Sequence, residues 1–241
     1  MALKQTIAYS YLKATNLSLE RLGIREVSLS SAPRFKEYPE ASKVKLSLGD
    51  YPKTKTFFEI LEVRRSERDY RKKPISLREI AWLCYAVQGV TAVAGTYLLR
   101  TAPSAGALYP IETYLGINFS TDIKPGIYHL EVRTFSLELL KEGYFGKELA
   151  NLALGQSFLA TASVVFIWSA VLRRTLSKYG SRGLRYIFMD CAHICQNLLL
   201  ASEALELKAC PVGAFLDEDF NEFLGLDGEE ESVIYLATVG K

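Results

Sequence analysis

The sequence predicts an α+β fold, with helices packed over a mostly antiparallel sheet, and three observations lead there. Segments 113–119 and 126–131 alternate as strands do, the second opening after a Pro-Gly turn. SVVFIWSAV at 163–171 and SVIYLATVG at 232–240 are nearly continuous runs rich in β-branched residues, the pattern of strands buried on both faces. Residues 184–207 form a long helical pattern, apolar over most of its circumference, that belongs in a core or at a subunit interface. Helices and strands otherwise alternate irregularly.

Taken in order, the first fifty or so residues read as an irregular arm in which LSLERLGI, 17–24, is one short helix. TFFEILEV is a short amphipathic helix running into Arg64. Ser76-Leu-Arg-Glu79 is a capping box that opens a helix through AWLCYAVQ, and Gly89 ends it in a left-handed cap. TAPSAGALYP is a loop with one helical turn, capped by Ser104 and stopped by Pro110. A third strand returns over 135–141, and 147–159 reads helical. Residues 210–215 form a short apolar connection, after which Asp217 caps a helix that Gly225 ends.

Composition narrows the function. The 241 residues are 49% hydrophobic, enough for one large domain with a real core and too apolar for disorder. No uncharged apolar run reaches the roughly 18 residues of a membrane helix. The N-terminal MALKQTIAYSYLK lacks the apolar block of a secretory signal. Four cysteines without a CxxC pair fit reduced thiols in a cytoplasmic protein. The net charge of +2 hides basic clusters at 64–73 and 173–185 and an acidic segment at 217–231. Local clusters in a near-neutral chain fit a small anionic ligand better than a nucleic acid.

The motif search is mostly exclusion. There is no GxGxxG, no GxxxxGK[ST] and no GxSxG, and only two histidines are present for a triad. Cys191, His193 and Cys195 do not make a metal site, because on a helix the middle residue points away from the other two. Chemistry on this chain therefore needs a bound organic cofactor.

Four stretches then become specific: RRSERDY at 64–70, RTAPSAGALYPIE at 100–112, KYGSRGLRYIFMDCAHICQN at 178–197, and the segment from ACPVGAF at 209 to ATVG at 240. Together they resemble the flavin-dependent nitroreductase superfamily, and most closely its SagB-type branch, the azoline (thiazole and oxazole) dehydrogenases of peptide tailoring. The resemblance implies a nitroreductase-like fold built as an intertwined homodimer with two FMN sites at the interface. It divides the chain into an arm, 1–54, and an FMN-binding domain, 55–241.

The residues agree with that implication. FMN needs a phosphate clamp, a slot for a flat apolar ring and hydrogen bonds to the ring's polar edge. Arg64 and Arg65 offer forked donors to phosphate oxygens, Ser66 adds a hydroxyl, and Arg68 is a further donor in the cluster. Pro103, Ser104, Ala105 and Gly106 form a loop of small residues that lets backbone approach the ring; in the family it comes from the second subunit. The resemblance places a main-chain N–H of Gly213 or Ala214 against flavin N5, Gln156 near the ring, and Lys241 near the phosphate. It also makes Lys178 and Tyr179 the catalytic pair, with Arg182 and Arg185 close enough to stabilise a phenolate or an unprotonated lysine. Oxidation of azoline rings in a modified peptide is the activity closest to these motifs. Reduction of nitro-aromatics, quinones or flavin by NAD(P)H is the alternative, and a non-catalytic flavin-holding domain is a third.

Overall fold

The computed structural model describes residues 3–19 and 28–241. Seven strands form one antiparallel sheet: β1 (Lys43–Lys45), β4 (Ile111–Ile117), β5 (Gly126–Glu131), β6 (Ser136–Glu142), β7 (Val164–Val171), β8 (Lys208–Val212) and β9 (Glu231–Gly240). Their order across the sheet is β1-β6-β5-β4-β7-β9-β8. A separate hairpin, β2 (Val90–Ala94) with β3 (Tyr97–Arg100), stands outside it. Strand β7 lies inside the sheet between β4 and β9, and its period of two divides the core. Val164, Phe166, Trp168 and Ala170 face a cluster containing α3 (Leu77–Gln88) and α6 (Gly183–Ala204). Val165 and Ile167 face the opposite cluster with α4 (Gly146–Leu152) and α7 (Asp217–Leu224). Helices therefore cover both faces, as the uninterrupted apolar run of β7 requires.

The local chemistry places most elements where the sequence expects them. Helix α2 (Phe57–Val63) and α3 both open with complete capping boxes, Thr56 with Glu59 and Ser76 with Glu79. Gly225, at φ +73°, ends α7 in the left-handed region.

Five expectations are corrected. Gly89 ends α3 at φ −57°, so no left-handed cap forms there; glycine is needed because a β-carbon would collide with the Tyr85 ring and carbonyl. The helix expected over 147–159 stops at Leu152, because Leu154 and Gly155 take positive φ and the chain resumes as a 3₁₀ turn, Ser157–Ala160. The first half of the apolar connection expected over 210–215 belongs to strand β8, the edge of the sheet, paired along its length with β9. Asp217 lies inside α7, whose cap position is Leu216; with Glu218 and Asp219 it puts three acids in the first turn, favourable to the helix dipole. The arm is more ordered than its composition implies. It supplies α1 (Ile7–Ala14), capped by Thr6, and β1 at the far edge of the sheet. The short helix expected at 17–24 lies largely outside the described residues.

Two charge contacts strap this arm across the sheet. Lys36 Nζ binds Glu231 at 2.6 Å and the Tyr114 hydroxyl at 2.9 Å, and Lys43 pairs with Glu138 at 2.9 Å. Helix α6 buries Ile187, Cys191, Ile194, Cys195 and Leu198, while Phe188, Met189, Ala192, His193 and Gln196 remain exposed as a stripe. Its apolar circumference thus has one side left uncovered by its own chain. All four cysteines are free and buried. Among the described residues no helix is long and apolar enough to cross a membrane.

Candidate active site

The predicted residues gather into two groups. The first is built on α5 (Leu172–Tyr179) and the loop between β3 and β4. In that loop Gly106 (φ +64°) is followed by Ala107 (φ +53°) and Tyr109 (φ +48°), a conformation that needs external restraint. The restraint comes from Asp190, on the buried face of α6. Ser104 Oγ donates to Asp190 Oδ2 at 2.5 Å, the Ala105 N–H donates to Oδ1 at 3.2 Å, and the Tyr109 N–H donates back to Ser104 Oγ at 2.9 Å. Burial raises the Asp190 carboxyl above its ordinary range, although the Ser104 and Ala105 bonds oppose the shift. Ser104 therefore organises the loop through Asp190, without making the side-chain cap bond that the sequence suggests. Sequence reasoning missed Asp190; a lone acid on the inward face of an apolar helix was the available signal.

Lys178 and Tyr179 close α5, and both heads meet this loop. A β-carbon built on Gly106 would lie 2.6 Å from Tyr179 Oη and 2.8 Å from Lys178 Nζ. Glycine is favoured there by its φ of +64°, and any side chain would also push the two heads away. Lys178 Nζ sits 5.3 Å from the Tyr179 ring centroid, and that ring packs edge-on against Tyr186 at 5.0 Å. Arg182 and Arg185 do not serve the pair as expected. Arg182 binds the Tyr186 hydroxyl and the Thr15 carbonyl, and Arg185 binds the Leu12 carbonyl and the Thr15 hydroxyl, so both hold the end of α1.

One turn before Lys178, Arg174 is buried at 3% exposure and ties three segments together. It donates to the Pro33 carbonyl at 2.6 Å and the Tyr109 carbonyl at 3.2 Å, and pairs with Glu112 at 2.6 Å. Glu112 in turn meets His129 Nε2 at 3.1 Å, while Glu138 meets His129 Nδ1 at 2.8 Å. Burial alone would raise the Glu112 carboxyl, but Arg174 and then His129 outweigh it and hold it down to about 2. Burial likewise opposes charge on His129, and its bonds to the two carboxylates outweigh that and raise its pKa.

The second group lies along α2, β8 and the 3₁₀ turn at 157–160. Ser66 bridges Ala209, and the Glu67 N–H donates to the Ala209 carbonyl at 3.0 Å. Arg64 is half-buried, with no ion pair or side-chain hydrogen bond among the described residues. Arg65 Nη1 donates to the Glu62 and Arg64 carbonyls, closing α2, and is otherwise exposed. The Arg68 guanidinium lies 5.8 Å from the Phe158 ring centroid and beside the Cys210 thiol, whose pKa burial raises. At the end of β8, Gly213 and Ala214 are exposed, and Gln156 Nε2 donates to the Ala214 carbonyl at 2.8 Å. Lys241 is drawn aside: its ammonium pairs with Glu79 at 2.9 Å, within the capping box of α3.

No hydrogen bond, ion pair or ring contact joins the two groups among the described residues. The first offers a lysine and a phenol over a glycine floor. The second offers a guanidinium without a partner, a free hydroxyl and an exposed turn of small residues. That donor set suits a phosphate and the edge of a flat ring.

Comparison with known proteins gives the family context. Residues 61–241 match the model of the nitroreductase family. A nitroreductase-type protein of Methanocaldococcus jannaschii is 37% identical over 76% of this chain and 89% of its own length. The trifolitoxin operon protein TfxC of Rhizobium leguminosarum bv. trifolii is 27% identical over 54% of this chain and 36% of its own. The trifolitoxin-processing protein TfxB from the same organism is 30% identical over 58% of this chain and 39% of its own. This chain thus spans little more than a third of either protein. Among solved structures, a nitroreductase-type protein of Anabaena variabilis superposes with a TM-score of 0.74 at 27% identity, over 89% of this chain and 45% of the other. A chain of the Escherichia coli microcin synthetase McbBCD complex, with truncated pro-MccB17 bound, superposes with a TM-score of 0.63 at 19% identity, over 96% of this chain and 86% of the other.

Proposed function

We propose, from the premise that this chain belongs to the nitroreductase family, that it is an FMN-dependent oxidoreductase of the SagB type. Its substrate class is an azoline-bearing modified peptide, and its working form is a homodimer. The domain at 55–241 carries the flavin, with the arm at 1–54 strapped to it. The observation that carries this reading is the convergence of Lys178 Nζ and Tyr179 Oη on Gly106. A relative named for trifolitoxin processing, another named for the trifolitoxin operon, and the fold shared with a microcin synthetase chain support the peptide class.

FMN, when bound, supplies the hydride-accepting atom. Arg64 and Ser66 would hold its phosphate, with Arg65 sharing the charge. Arg68 is turned toward Cys210 and Phe158, so it would shape the wall more than clamp the phosphate. The Gly213–Ala214 turn, oriented by Gln156, would border the ring. Lys241, held by Glu79, would add only field. In the proposed homodimer, the Pro103–Gly106 loop and its lysine–tyrosine pair would face the clamp of the other subunit, a reading consistent with the absence of any contact between the two groups among the described residues. Azoline oxidation breaks two C–H bonds, releasing one hydrogen as a proton and its neighbour as a hydride. Lys178 or Tyr179 would take the proton, at the point where the glycine floor lets the ring carbon approach.

The test replaces both residues, Lys178→Ala with Tyr179→Phe. FMN affinity should be nearly unchanged, while azoline oxidation falls about 10²–10⁴-fold, the range for loss of a general base. Reduction of nitro-aromatics or quinones by NAD(P)H needs no such base and should fall far less. Equal loss in both assays would assign the pair a structural role. No loss in either would remove the azoline reading and leave the reductase one.

A further inference from the structure

Arg182 and Arg185 open helix α6, where the helix dipole disfavours positive charge and no acid is present in the first turn. Their compensation comes from outside the helix. Arg182 Nη1 donates to the Thr15 carbonyl at 2.8 Å. Arg185 donates to the Leu12 carbonyl at 2.6 Å and to the Thr15 hydroxyl at 2.8 Å. These acceptors lie at the C-terminal end of α1, the negative end of its dipole, so the two helix ends face each other with the guanidinium groups between them.

The rest of α1 is held loosely. None of its residues is buried, and Ile7 and Leu12 are 89% and 50% exposed. Thr15, just past the helix, is the buried anchor, at 3%. Tyr11 packs 5.8 Å from Arg185, yet its buried hydroxyl has no partner among the described residues, so the seat is filled imperfectly. The seat also adjoins the reactive pair: Arg182 Nε binds the Tyr186 hydroxyl at 2.7 Å, and the Tyr186 ring abuts Tyr179.

We infer that Arg182 and Arg185 form a docking site for the main-chain carbonyls of a peptide, beside Lys178 and Tyr179, and that α1 is its resident occupant, displaced when a peptide binds. That this peptide is substrate rests on the function proposed above; that the site takes a peptide rests on the contacts alone. Forked, charge-assisted donors suit such carbonyls, because a guanidinium can serve two acceptors at once. An occupant held mainly through its C-terminal end, with no helical residue fully buried, can exchange those bonds for the same bonds to a peptide.

The experiment uses the full chain and a fluorescein-labelled peptide of residues 6–16, read by anisotropy without flavin or turnover. Ser10→Pro breaks α1 at an exposed position and leaves the arginines intact. Amide exchange over 7–14 should rise, and the labelled peptide should bind this variant about tenfold or more tightly than it binds wild type. Adding Arg182→Gln and Arg185→Gln should lose that gain, since charge-assisted bonds carry it. Arg185→Gln alone, which keeps the Arg182–Tyr186 bond, should lose a smaller part. The inference is overturned if α1 stays protected in the Ser10→Pro chain, if the peptide ignores the emptied seat, or if binding survives both arginine changes. None of these readings depends on FMN, so a failure of the flavin assignment stands apart from a failure here.

Discussion

Arg174 and Arg64 belong to two regions that treat the same side chain in opposite ways. Around Arg174 the charges of one network answer each other: two carbonyls and Glu112 surround the guanidinium, and Glu112 and Glu138 enclose His129. Arg64, although half-buried, has no ion pair or side-chain hydrogen bond among the described residues. A buried ion pair with all its bonds made is a scaffold; one charge removed from it leaves the other stranded. A guanidinium held in place without a partner is poised for a ligand. The contrast fits the first region holding α5 and the glycine loop in register, and it supports the proposal that the second region binds.

Substituting each region should therefore break different things. The largest effect is expected from Arg174→Met, which strands Glu112 and leaves two carbonyls without a donor. Destabilisation of about 3–5 kcal/mol, as for other broken buried pairs, should appear in denaturant unfolding. Glu112→Gln in the same chain should recover part of it. A loss below about 1 kcal/mol would mean that the network is not the scaffold.

Arg64→Ala should act the other way. Folding stability should be unchanged, while FMN affinity, read by fluorescence titration, falls about tenfold to a hundredfold for the loss of a charge-assisted phosphate contact. A stability loss without an affinity change would reverse the comparison.

The smallest effect is the pH dependence of the scaffold. Glu112, held down to about 2 from its ordinary 4.5, contributes stability above 4.5 that fades as pH falls toward 2. His129, raised above its ordinary 6.5, contributes stability below 6.5 that fades as pH rises through the folded value. Melting temperature against pH should then decline on both sides, and His129→Gln should flatten the alkaline side alone. An alkaline slope that survives the substitution would assign it to other groups.

The same contrast explains what the sequence made legible. Segments with one dominant local signal were readable: the capping box at Ser76, and the run of β7. The cluster proposed as a clamp was visible as well, because its residues are contiguous at 64–68. What escaped depended on partners distant in sequence. Asp190 restrains a loop 85 residues away, Arg182 and Arg185 reach back to the arm, and Lys241 turns to Glu79. Strand β8 escaped because a Pro-containing edge strand carries a weak pattern and is fixed by its pairing with β9.

The central claim is that the clamp of one subunit and the glycine loop of the other make one flavin site. A dimer mixed from two differently tagged chains tests it most directly, one carrying Arg64→Ala and the other Gly106→Leu, with FMN titrated into the purified mixture of one copy each. Each parent homodimer should bind FMN weakly. In the mixed dimer one of the two symmetry-related sites is built from unaltered halves, so half of the sites should bind with wild-type affinity. A mixed dimer that binds no better than its parents would show that each site is made within a single chain, and the account would fail.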